Sequence, residues 1–153
     1  MRKLIFIINP AAGKGAAKTL LEALYKRREE AEVEFKTVIS SSKGQIETLT
    51  LNAINEGYRE IIAVGGDGTL TEMVQGICQQ GSDGIKAGVL PCGTGNDFAK
   101  VLYASLDPME ILETILVGKT KTADLFDCNG TRCINVCAMG IDGQIVMDTE
   151  KIK

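Results

Sequence analysis

The chain has 153 residues, enough for one domain with a full hydrophobic core and too few for two of ordinary size. Its 44% hydrophobic and 24% charged content suits a globular protein, and a net charge of −3 argues against a general nucleic-acid binder. Histidine is absent, which removes Ser-His-Asp and Cys-His chemistry and leaves carboxylates, backbone dipoles and metal ions to any enzyme built on this sequence.

Lys3 to Ile8 is a short apolar run that reads as a buried strand closed by Asn9-Pro10. It ends without a small-residue cleavage site, and no stretch reaches transmembrane length, so a cytoplasmic protein is expected, visiting a membrane only at its surface. Asn9-Pro10-Ala11-Ala12-Gly13-Lys14-Gly15 follows as a loop of small residues where phosphate can approach and Lys14 can supply charge. It lacks the Walker A spacing, and Lys18 takes the place of the third glycine of a dinucleotide fingerprint. A plain turn between strand and helix explains it equally well. Ala16 to Glu30 is predicted helical, with Leu20, Leu21, Leu24 and Tyr25 on one face, and Lys26-Arg27-Arg28 reads as a solvated helix end. Val33 to Ile39 is a second strand, ended by Ser40-Ser41-Ser42. Gly44 to Asn55 is a second helix, with Ile46, Leu49, Ala53 and Ile54 buried and Gly57 as its C-terminal cap.

Ile61 to Val64 is the third strand, and it delivers the chain into Gly65-Gly66-Asp67-Gly68-Thr69-Leu70. Three glycines are expected to allow positive φ and the close approach of an anion to the main-chain amides. Thr69 opens a helical stretch from Leu70 to Cys78, so the loop faces the partly positive end of a helix. Asp67 is the carboxylate inside this loop, and an acid among phosphate-binding amides suits a metal ion or a hydroxyl proton. Glu72, one turn on, can reach a ribose or metal, or simply favour the helix N-terminus. Ala87 to Leu90 is the fourth strand, followed by Pro91-Cys92-Gly93-Thr94-Gly95-Asn96-Asp97-Phe98-Ala99-Lys100. There the Thr94 hydroxyl can bond a phosphate between two glycines, and Asn96 or Asp97 can cap the next helix. Ile111 to Val117 is a short amphipathic helix stopped at Gly118.

Near-continuous apolar strands alternating with helices predict a parallel sheet covered on both faces, a Rossmann-like three-layer α/β domain. Ligands of such sheets bind at the carboxyl ends of the strands, where the loops after strands one, three and four all fall. The alternation stops after Lys119. Thr122 to Cys128 and Thr131 to Ala138 read as two strands joined at Asn129-Gly130. Cys133 and Cys137 read as buried strand thiols, because no Cys-x-x-Cys pair suggests a metal. Asp124 and Asp127 read as exposed strand residues rather than cation ligands, and Asp142-Gly143 as a turn. The expected organisation is an α/β domain over 1–119 and the opening of a β-rich second domain over 120–153.

Taken together, Asn9 to Gly13, Gly65 to Thr69 and Pro91 to Ala99 resemble the catalytic domain of diacylglycerol kinases and bacterial lipid kinases, related to sphingosine and ceramide kinases. The resemblance runs in order over essentially the whole chain. It implies a transferase moving the γ-phosphoryl group of ATP to a lipid hydroxyl at a membrane surface, most simply that of diacylglycerol. It implies ATP held by Asn9, Pro10, Ala11, Ala12, Gly13, Ser40, Gly65, Gly66, Asp67, Gly68, Thr69, Leu70, Thr71 and Thr94. Asp67 is the implied catalytic residue, organising phosphate and Mg2+, while the metal ligands themselves stay unassigned. The family's Phe-x-Asn-x-x-x-x-Gly-x-Asp stretch is matched by Asn135, Gly140 and Asp142, with Cys133 in place of the aromatic. The family's catalytic unit continues into a β-sandwich-like domain carrying a general base, so this sequence is expected to be its nucleotide-binding fragment. NAD kinase is the alternative enzyme, since its glycine loop is closely related. A non-catalytic nucleotide-binding module is the alternative of another class, with an open strand edge that invites a homodimer.

Overall fold

The computed structural model describes the backbone of residues 2–30, 33–138 and 140–152, and their side chains except at 14, 15, 18, 28–30, 146 and 149–152. β1 (Lys3–Ile8) is central, because five of its six residues are buried. It pairs in parallel with β2 (Glu34–Ile39) on one side and β3 (Glu60–Gly65) on the other. β3 in turn pairs in parallel with β4 (Lys86–Pro91), giving the order β2-β1-β3-β4.

Alternation along the strands divides the core into two layers. Leu4, Phe6 and Ile8, with Ile62, Val64 and Leu90, face α1 (Ala16–Glu30) and α5 (Pro108–Val117), which contribute Leu20, Leu24, Ile111, Leu112 and Ile115. Phe6 and Phe35 meet edge to face there, with ring centroids 5.2 Å apart. Ile5, Ile7, Ile61 and Ala63 face the other way, toward α2 (Gln45–Asn55) and α3 (Asp67–Gln80) through Ile46, Ala53, Leu70, Met73, Val74 and Ile77. Each of these Val, Leu, Ile, Phe and Met side chains contributes about 1.5–3 kcal/mol by leaving water. α2 and α3 approach closely at Gly76, where a Cβ would lie 2.7 Å from the Glu47 carbonyl oxygen. The α/β parallel architecture is therefore the one the sequence predicts, with Tyr25 displaced from the expected buried face to 47% exposure.

The C-terminal third differs more. α4 (Asp97–Leu102) is a short helix after the fourth loop. The hairpin is confined to β5 (Phe126–Cys128) and β6 (Thr131–Cys133), joined through Asn129 and Gly130 in left-handed conformations. The expected long strands over 122–128 and 131–138 are not formed at residues 122–125 and 134–138. Asp142-Gly143 is no turn but the first turn of α6 (Ile141–Ile152). Gly140, at φ +66°, turns the chain into that helix, Gln144 donates its amide to the Gly140 carbonyl, and Asp142 faces the favourable end of the dipole. Among the described residues no helix is long and apolar enough to cross a membrane.

Candidate nucleotide site

The sheet order reverses direction between β1 and β3, so the crevice at their carboxyl ends is the topological switch point of an open parallel sheet. One side-chain link crosses it, and a second shapes its first loop. The Asn9 amide Nδ2 donates to Thr69 Oγ1 at 3.1 Å, joining the first loop to the glycine loop. Asn9 Oδ1 meanwhile accepts from the Ala11 amide at 3.1 Å, which fixes the bend after β1. Gly13 sits at φ +65° against the fourth loop, and a Cβ there would fall 1.9 Å from the Cys92 carbonyl oxygen. Only glycine satisfies both conditions.

α3 begins at Asp67 rather than at Leu70, two residues before the threonine expected to open it. The amides of residues 67–69 therefore lie in a first helical turn, where no intrahelical carbonyl can reach them. The expected positive φ is not used: none of Gly65, Gly66 and Gly68 is left-handed. These glycines serve proximity. A Cβ on Gly65 would strike the Thr69 side chain at 2.2 Å, and one on Gly66 would meet Gly93 Cα at 3.2 Å. Gly68 differs, since a Cβ there would meet nothing within 4 Å and would project into open space at the helix start.

The Asp67 carboxylate spans two loops. Oδ2 accepts from the Asp97 amide and Oδ1 from the Phe98 amide, each at 3.1 Å, so Asp67 caps α4. Asn96 and Asp97 were the sequence candidates for that cap. Asn96 instead adopts φ +55° and ties its side chain back to Gly93, accepting from its amide at 3.0 Å and donating to its carbonyl at 2.7 Å. Asp97 pairs with Lys100 at 2.8 Å. The cap by Asp67 was not legible in the sequence because it joins residues of two different loops.

The other predicted residues fall unevenly around this centre. Thr94 and Gly95 are exposed on the fourth loop, Pro10 and Ala11 on the first, and Ala12 is half-buried beside them. Ser40 is buried at the end of β2, with its amide on the Ile8 carbonyl at 2.9 Å. Thr71 donates its hydroxyl to the Asp67 carbonyl at 3.0 Å. Leu70 turns its side chain into the core and offers the site only backbone. The Lys14 side chain lies outside the described residues. Glu72 accepts from the Gly44 amide at 3.3 Å through Oε1, while its buried Oε2 has no hydrogen-bond partner among the described residues. Burial pushes the Cys92 thiol up to about 11, which leaves it a protonated packing group rather than a nucleophile. Among the described residues no group of three or more Cys, Asp or Glu side chains is arranged to hold a metal ion.

Comparison with known proteins places the family and the fold. A family model described as the diacylglycerol kinase catalytic domain matches residues 3–128. A protein of Staphylococcus carnosus named diacylglycerol kinase is 33% identical over 97% of this chain and 49% of its own length. One of Staphylococcus aureus with the same name is 35% identical over 97% of this chain and 47% of its own. The chain thus spans about half the length of the curated relatives it matches. The crystal structure of a diacylglycerol kinase from Bacillus anthracis superposes with a TM-score of 0.71 at 24% identity, covering 86% of this chain and 45% of that one, a likeness of fold. A further solved chain from that organism reaches a TM-score of 0.76 at 25% identity, covering 86% and 47%.

Proposed function

The chain belongs to the diacylglycerol kinase catalytic-domain family, and we propose that it forms the ATP-binding half of a lipid kinase that phosphorylates a lipid hydroxyl, diacylglycerol first. The observation that carries this reading is the Asp67 carboxylate, which joins the start of α4 to the start of α3 beside the loop after β1. Helix-start amides at residues 67–69, the small loop 9–13 and the exposed Thr94 would then hold a chain of phosphates at this edge of the sheet.

Asn9 orients the first loop and Thr69 anchors it, so their bond sets the width of the crevice. Gly68 leaves the helix start open to an anion. Phosphoryl transfer needs position and charge neutralisation more than covalent help, and fixed amides supply both. Asp67 fits magnesium, because Mg2+ is held by one or two carboxylates together with the phosphates of its nucleotide. Each Asp67 oxygen accepts one hydrogen bond and keeps lone-pair capacity toward the crevice. Bound there, the ion would neutralise charge on the transferred group. The acceptor lipid would meet this edge of the sheet from a membrane surface.

The test has two parts. Calorimetric titration of the chain with magnesium–ATP and with NAD should show binding of the first and none of the second. Joined to the remaining half of a staphylococcal relative, the chain should transfer labelled phosphate from ATP to diacylglycerol micelles. Preferential binding and phosphorylation of NAD would overturn the lipid-kinase reading.

A further inference from the structure

Away from the nucleotide edge, three of the five cysteines gather where the hairpin leads toward α6. Cys128 ends β5, Cys133 ends β6, and Cys137 lies four residues beyond β6. All are free thiols. The Cys137 Sγ donates to the Cys128 Sγ at 3.3 Å, with Cys137 exposed and Cys128 half-buried. The expected burial of Cys137 in a strand is thus not found, because β6 stops at Cys133 and the chain bends back.

The surroundings hold the two sulfurs together. The tight turn at Asn129-Gly130 is braced by the Gly130 amide on Asp127 Oδ1 at 2.9 Å and sets Cys128 opposite Thr131. Gln75 of α3 then grips β6 as a strand would: its Oε1 accepts from the Arg132 amide at 3.1 Å, and its Nε2 donates to the Arg132 carbonyl. The Cys128 side of the pair is therefore anchored, and the Cys137 side lies on a segment without regular structure.

We propose that Cys128 and Cys137 form a reversible oxidation site that closes to an intramolecular disulfide on exposure to peroxide. A bond of about 2.0 Å requires roughly 1.3 Å of further approach, a small movement for an exposed segment. The Cys137 thiol gives its proton to solvent, and the thiolate attacks one peroxide oxygen. The O–O bond breaks, and the departing hydroxide takes a proton back to leave as the first water as the sulfenic acid forms. Cys128 then attacks that sulfur, the S–O bond breaks, and the second water takes the remaining proton. Two thiols are oxidised by two electrons, and one peroxide is reduced to two waters. The ring so formed pins the lead-in to α6 against β5. The hydrogen bond to Cys128 raises the Cys137 thiol above its ordinary range, so closure should quicken as the pH rises.

The experiment is peroxide titration of the full chain, followed by alkylation and unreduced peptide mapping. The expected result is loss of two hydrogens in one linked peptide pair joining Cys128 to Cys137, reversed by dithiothreitol. Cys137→Ser and Cys128→Ser should each abolish the link while keeping the parent's circular dichroism, and Cys133→Ser should leave it intact. A link through Cys133, a disulfide-bonded dimer, or Cys137 sulfinic acid with Cys128 still alkylatable would overturn the proposal. This test does not depend on the kinase reading, since it involves neither nucleotide nor lipid.

Discussion

Asp67 and Phe98, thirty-one positions apart, are joined by a 3.1 Å hydrogen bond from the Phe98 amide to the Asp67 carboxylate. A second bond, from the Asp97 amide to the other oxygen, makes the same side chain the cap of a helix that belongs to another loop. The residue we propose to manage charge near a bound phosphate thus also ties the start of α3 to the start of α4.

Asp67→Ala should destabilise the chain by about 1 kcal/mol, the usual loss of a capping carboxylate, with loosening concentrated in α4. Asp67→Asn keeps one acceptor oxygen and should lose less. Urea unfolding of both variants measures this. Parent-like stability in Asp67→Ala would show that the cap contributes nothing.

Gly13→Ala should cost more than an ordinary surface change, about 1–3 kcal/mol, because the added carbon meets the Cys92 carbonyl at 1.9 Å and φ is +65°. Thermal unfolding reads the loss directly. An unchanged midpoint would mean that the first and fourth loops do not touch as described.

Acid stability should depend on Glu60. Arg2 donates to Glu60 at 2.5 Å and also caps α5 through the carbonyls of Leu116 and Ile115 at 2.5 and 3.2 Å. The hydrogen bond from Arg2, and its charge, hold the Glu60 carboxyl below the usual carboxylate range. A depressed carboxyl contributes stability that is complete above its ordinary range and lost as the pH falls through its lowered value. Glu60→Gln should flatten that acid limb and cost about 1–3 kcal/mol at neutral pH, since it leaves a half-buried guanidinium short of its partner. Denaturation at a series of pH values compares the two limbs, and parallel limbs would refute the assignment.

Thiol chemistry should separate the cysteines. Cys92 is buried and its thiol stands at about 11, so it should resist alkylation near neutral pH until the protein unfolds. Exposed Cys137 should react first. Timed alkylation with peptide mapping orders them, and early labelling of Cys92 in the folded chain would contradict the packing of the fourth loop.

Much of this architecture was legible because its signals are local. β1 and α1 carry their boundaries as apolar runs closed by Asn9-Pro10 and by a polar helix end, and they fall at Lys3–Ile8 and Ala16–Glu30 as read. The three loops stand out for their small residues after buried strands. What stayed hidden depends on contacts between distant residues or on one backbone angle. Nothing near Asp67 announces that it caps α4, and nothing near Gln75 announces that it grips β6. α6 was obscured by Gly140 and Gly143, which lower helix propensity although Ile141 and Ile145 keep helical spacing. The hairpin was read too long because alternation continues past Cys133 while the chain has already turned.

The measurement that tests the central claim most directly is thermal unfolding of the parent and Gly68→Val with increasing magnesium–ATP. Gly68 faces open space, so the variant should fold as stably as the parent while filling the place we propose for an anion. A ligand that binds only the folded state stabilises it by about 2.7 kcal/mol at a hundredfold excess over its dissociation constant. The account predicts a concentration-dependent rise in the parent and none in Gly68→Val. Equal rises in both, or none in a folded parent, would contradict a nucleotide site at the glycine loop.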